Sequence, residues 1–146
     1  MFKGQYKHNL DDKGRLVLPT KFRDELGEGA VITIGFENCL TIYTAAEWDR
    51  YTNELFSKPM TTLAVRRLLR RLTGNASDIE LDKSGRLKIP ANLLSDAAIV
   101  KDVTIVGLGS YIEVWATDQW ENEQQLDKEE YESNAEQLYH YNKGND

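Results

Sequence analysis

Hydrophobic and polar positions alternate along several short stretches of this chain, and they recur at helical spacing along others. Successive strand side chains point to opposite faces, so the alternating stretches predict strands at residues 2–10, 15–18, 30–35 and 39–43. Helical spacing predicts two helices in the first half, at residues 20–26 and from residue 45 onward, and a third between the halves at 60–72. The pattern therefore predicts a mixed protein rich in short strands.

The residues at the ends of these elements fit the same pattern. Asp and Gly at positions 11–14 predict a turn. Pro19 cannot donate to a strand ladder and should end the second strand. Thr20 predicts an N-cap for the short helix. Thr44, with Glu47 three residues later, predicts a capping box.

The whole arrangement occurs twice. The segment NLDDKGRLVLPTKFR at residues 9–23 returns as ELDKSGRLKIPANLL at 80–94, which is 71 positions later. The segment at 31–48 returns with an offset of 72. Each half therefore predicts strand, turn, strand, short helix, hairpin and helix, with Arg15 and Arg86 in equivalent places.

Repeats of this size bury too little surface to be stable alone, so a shared core or subunit association is expected. We expect a first repeat with its helix at residues 1–58, a linking helix at 59–76, and a second repeat with a C-terminal helix at 77–146. The linking helix should carry basic side chains on one side and Val65, Leu68, Leu69 and Leu72 on the other. We call the basic side the arginine face; it consists of Arg66, Arg67, Arg70 and Arg71.

Charge is distributed unevenly. The net charge of −6 argues against nucleic acid, but residues 118–146 hold nine acidic and two basic side chains. The first 23 residues hold six basic and two acidic side chains. A local basic surface is therefore compatible with an acidic protein. For the arginine face, two interpretations stay open: a solvated or salt-bridged helix face that meets acidic helices of a neighbouring half or subunit, and contact with nucleic acid.

The two Asp-x-x-x-Arg turns are the best candidates for function. Arginine suits nucleic acid because its planar fork can bond guanine O6 and N7 together. The other interpretation is an Asp–Arg pair that only fixes each loop. The candidate DNA contacts are Lys7, Lys13, Arg15, Lys83 and Arg86. The candidate loop-positioning residues are Asp11, Gly14, Asp82 and Gly85.

Catalytic, metal and cofactor patterns are weak in this sequence. A Cys39–His8 dyad lacks a supporting pattern, and Cys39 in an apolar strand is typical of a small buried residue. The chain offers no metal-ligand spacing and no phosphate-binding glycine loop. We therefore expect a protein that is not an enzyme and that needs no cofactor. The absence of a signal-peptide pattern and of a long apolar run predicts a cytoplasmic protein without membrane contact.

The opening MFKGQYKHNLDDKGRLVLPTKFR, the later LDKSGRLKIP and their separation resemble the MraZ family of bacterial transcriptional regulators. The repeated unit resembles the SpoVT–AbrB fold. The resemblance implies an α+β, mainly β protein, in which the two repeats form a pseudo-two-fold, swapped-hairpin β-barrel with flanking helices.

The resemblance also implies a function. Family members form closed rings, commonly octamers, and bind double-stranded DNA at short direct repeats in the promoter of the division and cell-wall gene cluster. Their Asp-x-x-x-Arg turns contact that DNA, so a nucleoid-associated protein is expected. Ser84 stands where the first turn has Lys13, so the turns need not contact DNA equally.

Another class of protein remains as the alternative, an AbrB-like antitoxin or protein-interaction module. That alternative predicts one barrel half per chain and a disordered partner-binding tail. In this chain the motif occurs twice, and the tail repeats a helix. We also expect the acidic C-terminal helix to pack against the arginine face of a neighbouring subunit.

Overall fold

The computed structural model describes the backbone of residues 1–144 and the side chains of residues 1–140. Residues Met1–Ala116 form one compact unit, and a second unit begins at Thr117. The predicted third segment ends at residue 146, so its last two residues lie outside the described part.

Twelve elements make up the first unit over the described residues. They are β1 (Gln5–Asn9), β2 (Arg15–Val17), α1 (Thr20–Leu26), β3 (Ala30–Ile34), β4 (Leu40–Thr44), α2 (Ala45–Phe56), α3 (Leu63–Gly74), β5 (Ser77–Ile79), β6 (Arg86–Lys88), α4 (Ala91–Asp96), β7 (Asp102–Gly107) and β8 (Tyr111–Ala116). The second unit is the helix α5 (Thr117–Gly144). Its side chains from residue 124 to residue 140 are exposed, as expected for a solvated acidic helix.

The strands of the two repeats interleave. One antiparallel sheet has six strands in the order β1-β7-β8-β4-β3-β5, and a second pairs β2 with β6. Each edge strand pairs with a strand of the other repeat, β1 with β7 and β5 with β3. If each strand of the six-stranded sheet is replaced by its equivalent in the other repeat, the strand order is the same when it is read from the opposite edge. The first unit therefore has a pseudo-two-fold arrangement in which neither half completes a sheet alone.

The expected swapped-hairpin β-barrel is not confirmed, because the main sheet does not close. Over the described residues the six-stranded sheet is open, with β1 and β5 at its edges, and β2–β6 is a separate ladder. Each strand of that ladder has only three residues and is followed closely by Pro19 or Pro90. Proline has no N–H to continue a ladder, so each of these strands ends there. A mixed fold with mainly antiparallel strands is confirmed.

Buried residues of both repeats meet around the pseudo-two-fold axis. Leu16 is opposite its repeat equivalent Leu87 in the β2–β6 ladder, and both side chains are 0% exposed. In the large sheet, Leu40 is opposite Val114 and Ile42 is opposite Ile112, and all four side chains are equally buried. The core is therefore built from equivalent residues of both repeats, and each repeat supplies the partner that the other needs.

The predicted helix starts were partly right. The backbone N–H of Glu47 donates to Thr44 Oγ1 at 3.0 Å, which confirms the Thr44 cap. The Glu47 carboxylate does not close the predicted box, because it accepts hydrogen bonds from Arg50. The Thr20 cap is wrong, because Pro19 occupies the N-cap position and Thr20 is the first helical residue.

The linking helix α3 begins three residues later than predicted and includes Gly74. Leu69 and Leu72 on its apolar side are buried, but Leu68 is 36% exposed. The Thr33 hydroxyl of β3 donates to the Leu72 carbonyl at 2.6 Å and so satisfies a carbonyl of the last helical turn.

Truncation of either residue of the Leu16–Leu87 pair should destabilise the protein to a similar extent. We expect Leu16→Ala and Leu87→Ala each to lower the free energy of unfolding by about 2–5 kcal/mol, because each leaves a cavity at a shared core position. Urea unfolding at a fixed protein concentration measures the change. Val17→Ala, at a half-buried neighbour, is the control and should cost less. A large destabilisation from only one leucine would contradict a shared core.

Candidate nucleic-acid interface

The first Asp–Arg turn, residues 11–15, is held by the Asp11 carboxylate. Its Oδ1 accepts the backbone N–H groups of Lys13 and Arg15, each at 2.9 Å. Its Oδ2 accepts Nε of Arg15 at 2.6 Å. Backbone bonds between Asp11 N–H and the Arg15 carbonyl, and between Gly14 N–H and the Asp11 carbonyl, close the loop at 3.0 Å each. Gly14 has a φ of +74°, which suits glycine.

The second Asp–Arg turn, residues 82–86, repeats this geometry. Asp82 Oδ1 accepts the backbone N–H groups of Ser84 and Arg86 at 2.9 Å each. Asp82 Oδ2 accepts Nε of Arg86 at 2.8 Å. Gly85 also has a φ of +74°. The two segments therefore fold alike although their central residues differ.

These bonds lower the pKa of both aspartates. The backbone N–H of Arg15 is the largest cause of the lowered Asp11 pKa, and the Arg15 side chain and the Lys13 backbone N–H act in the same direction against desolvation. The pKa of the Asp82 carboxyl shifts in the same direction through Arg86 and Ser84. Both carboxylates stay ionised at neutral pH and hold their arginines in place.

Each arginine keeps its outer nitrogen atoms available. The hydrogen bonds of Arg15 and Arg86 to their aspartates use Nε, and neither Nη group bonds to any part of the described chain. The two side chains are 28% and 34% exposed. A guanidinium held through Nε presents both Nη groups to solvent at reduced conformational freedom, which suits recognition of an oxyanion or a base edge.

The register of the β2–β6 ladder brings the two arginines to one face. Arg15 is opposite Lys88, and Arg86 is opposite Val17. Because Leu16 and Leu87 between them are buried, their neighbours project from the other side of the ladder. Arg15 and Arg86 are then diagonal neighbours, with Cα atoms about 7–8 Å apart. We call this surface, formed by Arg15, Arg86, Lys88 and Val17, the ladder face.

The other predicted contacts are placed differently. Lys13 and Lys83 are exposed at the tips of the two turns, beside the ladder face. Lys7 lies in β1 opposite Thr104 and so belongs to the large sheet. The structure thus groups four of the five candidates around the ladder and leaves Lys7 apart from them.

Two basic residues near the turns were missed. Lys88 has a detectable signal, because strict alternation after the buried Leu87 places it on the same face as Arg86. Arg23 had no such signal. It lies in α1, far from the second turn along the chain, and yet its side chain covers Gly85.

The arginine face of α3 does not act as one unit. Nη2 of Arg71 bonds both oxygens of Asp96 in α4, at 2.7 and 2.9 Å. Arg66 donates to the Met60 carbonyl at 2.9 Å. Arg67 and Arg70 are exposed. Arg71 therefore forms a salt bridge with Asp96 of the second repeat of its own chain.

The described residues show no arrangement for catalysis by Cys39. Its side chain is 0% exposed, its Sγ donates to the Phe36 carbonyl at 3.2 Å, and burial strongly raises its pKa. His8 Nδ1 accepts the Asn9 backbone N–H instead of facing a thiol. Residues 1–140 contain no group of three or more His, Cys, Asp or Glu side chains that could hold a metal ion. Among the described helices, none combines the length and apolar character that a membrane crossing requires.

The aspartates should make stability depend on pH. A folded pKa below the unfolded value of about 3.9 contributes stability above that value, and this is lost as the pH falls through the folded pKa. We expect Asp11→Asn and Asp82→Asn to be less stable than the wild type at pH 7, with the difference shrinking in acid. Chemical unfolding across pH 2–7 measures this, and Asp12→Asn, an exposed neighbour, is the control. A difference that did not vary with pH would contradict the assigned role.

Comparison with known proteins agrees with this twofold architecture. A family model described as "MraZ protein, putative antitoxin-like" matches the chain twice, at residues 1–71 and 72–140. A protein of Natranaerobius thermophilus named "Transcriptional regulator MraZ" is 39% identical over 138 residues, which cover 94% of this chain and 96% of that protein. A protein of the same name from Halothermothrix orenii is 42% identical over 135 residues, or 92% and 94% of the two chains.

A third relative of that name, from Alkaliphilus oremlandii, is 41% identical over 138 residues and again spans 94% of this chain and 96% of its own. These matches cover both Asp–Arg turns and the interleaved strands of the first unit. Two consecutive matches to one family model account for the internal repeat. The chain belongs to the MraZ family.

Proposed function

We propose that this protein is a DNA-binding transcriptional regulator and that the ladder face contacts the DNA. The relatives carry the name of a transcriptional regulator. The observation that carries the proposal is the register that brings Arg15 of one repeat and Arg86 of the other to one exposed surface with Lys88. A pair of arginines at fixed spacing suits the recognition of a duplex.

The two kinds of basic residue do different work in this proposal. Arg15 and Arg86 present their Nη groups to base edges, where a bidentate contact to guanine discriminates by about 1–3 kcal/mol. Lys13 and Lys83 at the turn tips bind phosphates and supply affinity that depends on salt. Asp11 and Asp82 act as positioning residues, because they restrict each arginine before DNA arrives.

One copy offers few contacts, so assembly is part of the proposal. A closed ring, octameric as the family resemblance implies, presents several ladder faces to short direct repeats in a promoter. Linked weak sites gain strongly in avidity when their spacing matches that of the repeats. We place these repeats in the promoter of the division and cell-wall gene cluster and the protein in the cytoplasm at the nucleoid. It acts without catalysis or cofactor.

We assign the interface between copies from the opposite charges of α5 and the arginine face. The acidic α5 of one copy packs against the arginine face of the next, where Arg67 and Arg70 are exposed. The division into residues 1–58, 59–76 and 77–146 stays a prediction. The antitoxin alternative fits the family description but requires a disordered tail, whereas residues 117–144 are helical.

Removal of either ladder-face arginine should weaken specific binding. We expect Arg15→Ala and Arg86→Ala each to reduce affinity for G-rich tandem direct repeats by roughly 5- to 150-fold, since each removes a bidentate base contact. The preference over scrambled DNA should fall by the same factor. Fluorescence anisotropy at two salt concentrations measures both effects.

Retained assembly must be checked for each variant by size-exclusion chromatography with light scattering. Lys7→Ala is the control, because it removes a cation from β1 in the large sheet and leaves the ladder face intact. If both arginine variants bind the repeats like the wild type, these residues only brace their loops and the proposal fails.

Charge reversal on α3 tests the assembly. Arg66→Glu combined with Arg70→Glu should break the oligomer, since the acidic helix of a neighbour would then meet like charges. Light scattering reports the mass, and Lys58→Glu, an exposed cation outside α3, is the control. A ring that stays intact in the double variant would rule out this interface.

A further inference from the structure

The side chain of Arg23 lies directly over the second Asp–Arg turn. A Cβ added to Gly85 would fall 2.6 Å from Arg23 Cδ and 2.7 Å from Arg23 Cζ, with Nη1 closer still. Gly85 is buried as a result. A residue from α1 of the first repeat thus forms part of the turn supplied by the second repeat.

The same contact exists at the first turn, but its chemistry is different. Leu94 of α4 is the repeat equivalent of Arg23, and its Cδ1 would lie 3.5 Å from a Cβ on Gly14. Each short helix therefore covers the turn of the other repeat. One of them brings a guanidinium to its turn, and the other brings an aliphatic group.

The surroundings of Arg23 do not explain a charge at this place. Nη2 donates to Thr20 Oγ1 at 2.8 Å, and Nε is buried without a partner among the described residues. A buried donor without a partner is costly. Arg23 also lies beside Gly85, which directly precedes Arg86. The positive charges of Arg23 and Arg86 therefore repel each other. Both costs are absent from the first turn, where leucine serves as the cover.

The two turns consequently differ in charge. The first turn balances two acidic residues, Asp11 and Asp12, against Lys13 and Arg15. The second turn has one acidic residue, Asp82, against Lys83 and Arg86. Arg23 adds a further positive charge to the second turn, whereas Leu94 adds none to the first. An anion would therefore be attracted to the second turn far more than to the first.

We propose that Arg23 is an additional DNA-binding residue and that its guanidinium gives the second turn a backbone-phosphate contact that the first turn, covered by Leu94, does not have. This inference rests on the proposed function and deepens it, because it assigns unequal roles to the equivalent turns. A phosphate bound by Arg23 accepts charge-assisted hydrogen bonds from its guanidinium and offsets the repulsion between Arg23 and Arg86. The first turn then contributes through Arg15 and Lys13 alone.

The test exchanges the two side chains that cover the Asp–Arg turns. Arg23→Leu gives the second turn the cover that the first turn already has, and Leu94→Arg gives the first turn a guanidinium. We expect Arg23→Leu to weaken binding to repeat DNA and to scrambled DNA by the same factor, roughly 10-fold or more. The slope of log affinity against log salt is negative, and its magnitude should decrease by about 0.9 for each phosphate that the variant no longer binds. Leu94→Arg should increase that magnitude.

Anisotropy titrations over several salt concentrations supply the affinities and slopes, and thermal unfolding monitors the fold. Arg23→Leu should not lower the melting temperature, because it removes a buried donor without a partner. Arg23→Gln keeps a shorter, uncharged polar side chain and should also reduce the magnitude of the salt slope, which covers the case in which the leucine variant folds poorly.

The results distinguish a failure of this inference from a failure of the proposed function. If Arg86→Ala weakens DNA binding but Arg23→Leu and Arg23→Gln leave affinity and salt slope unchanged, Arg23 is only a cover for Gly85 and the inference is wrong. If Arg86→Ala also binds like the wild type, the proposed function itself fails. A weakening confined to repeat DNA would overturn the assignment to phosphate in favour of base contact.

Discussion

The antiparallel pairing of β2 with β6 is the constraint on which the rest of this structure depends. Leu16 and Leu87 meet on the pseudo-two-fold axis and are fully buried. In a strand, burying one residue directs both of its neighbours to the opposite face. The same contact that joins the two repeats therefore also sets the distance between Arg15 and Arg86. A one-residue slip of either strand would expose its leucine and bury the side chains that flank it.

The aspartate of each turn restricts the long, flexible side chain of its arginine, so less conformational entropy is lost when a ligand binds. Each carboxylate holds two backbone N–H groups and the Nε of its own arginine. All of these bonds lie within five consecutive residues. The geometry of the turn is therefore encoded locally, and it survives the change from Lys13 to Ser84 at its tip. The chemistry around the turn can diverge while its shape stays fixed.

The sequence predicted the elements better than their partners. The repeat correctly predicted equivalent strands, and the spacing at Thr44 predicted a real cap. An internal repeat does not reveal whether strands pair within a half or between halves. The family resemblance implied exchange between the repeats, but it did not predict the open sheet. At the candidate site, local spacing was enough to find Arg15 and Arg86, since each turn is self-contained. It could not find Arg23, because the contact of that residue with Gly85 exists only after the halves have interleaved.

That interleaving also determines when the chain can fold. Gln5 of β1 pairs with Val106 of β7, so β1 finds its partner only after most of the first unit has been synthesised. Contacts between residues so far apart in sequence close slowly, because the entropy of a long loop must be lost first. Until then β1 is exposed along both of its backbone edges. Joining two repeats in one chain guarantees a partner for β1, but β1 stays unpaired until β7 has been synthesised.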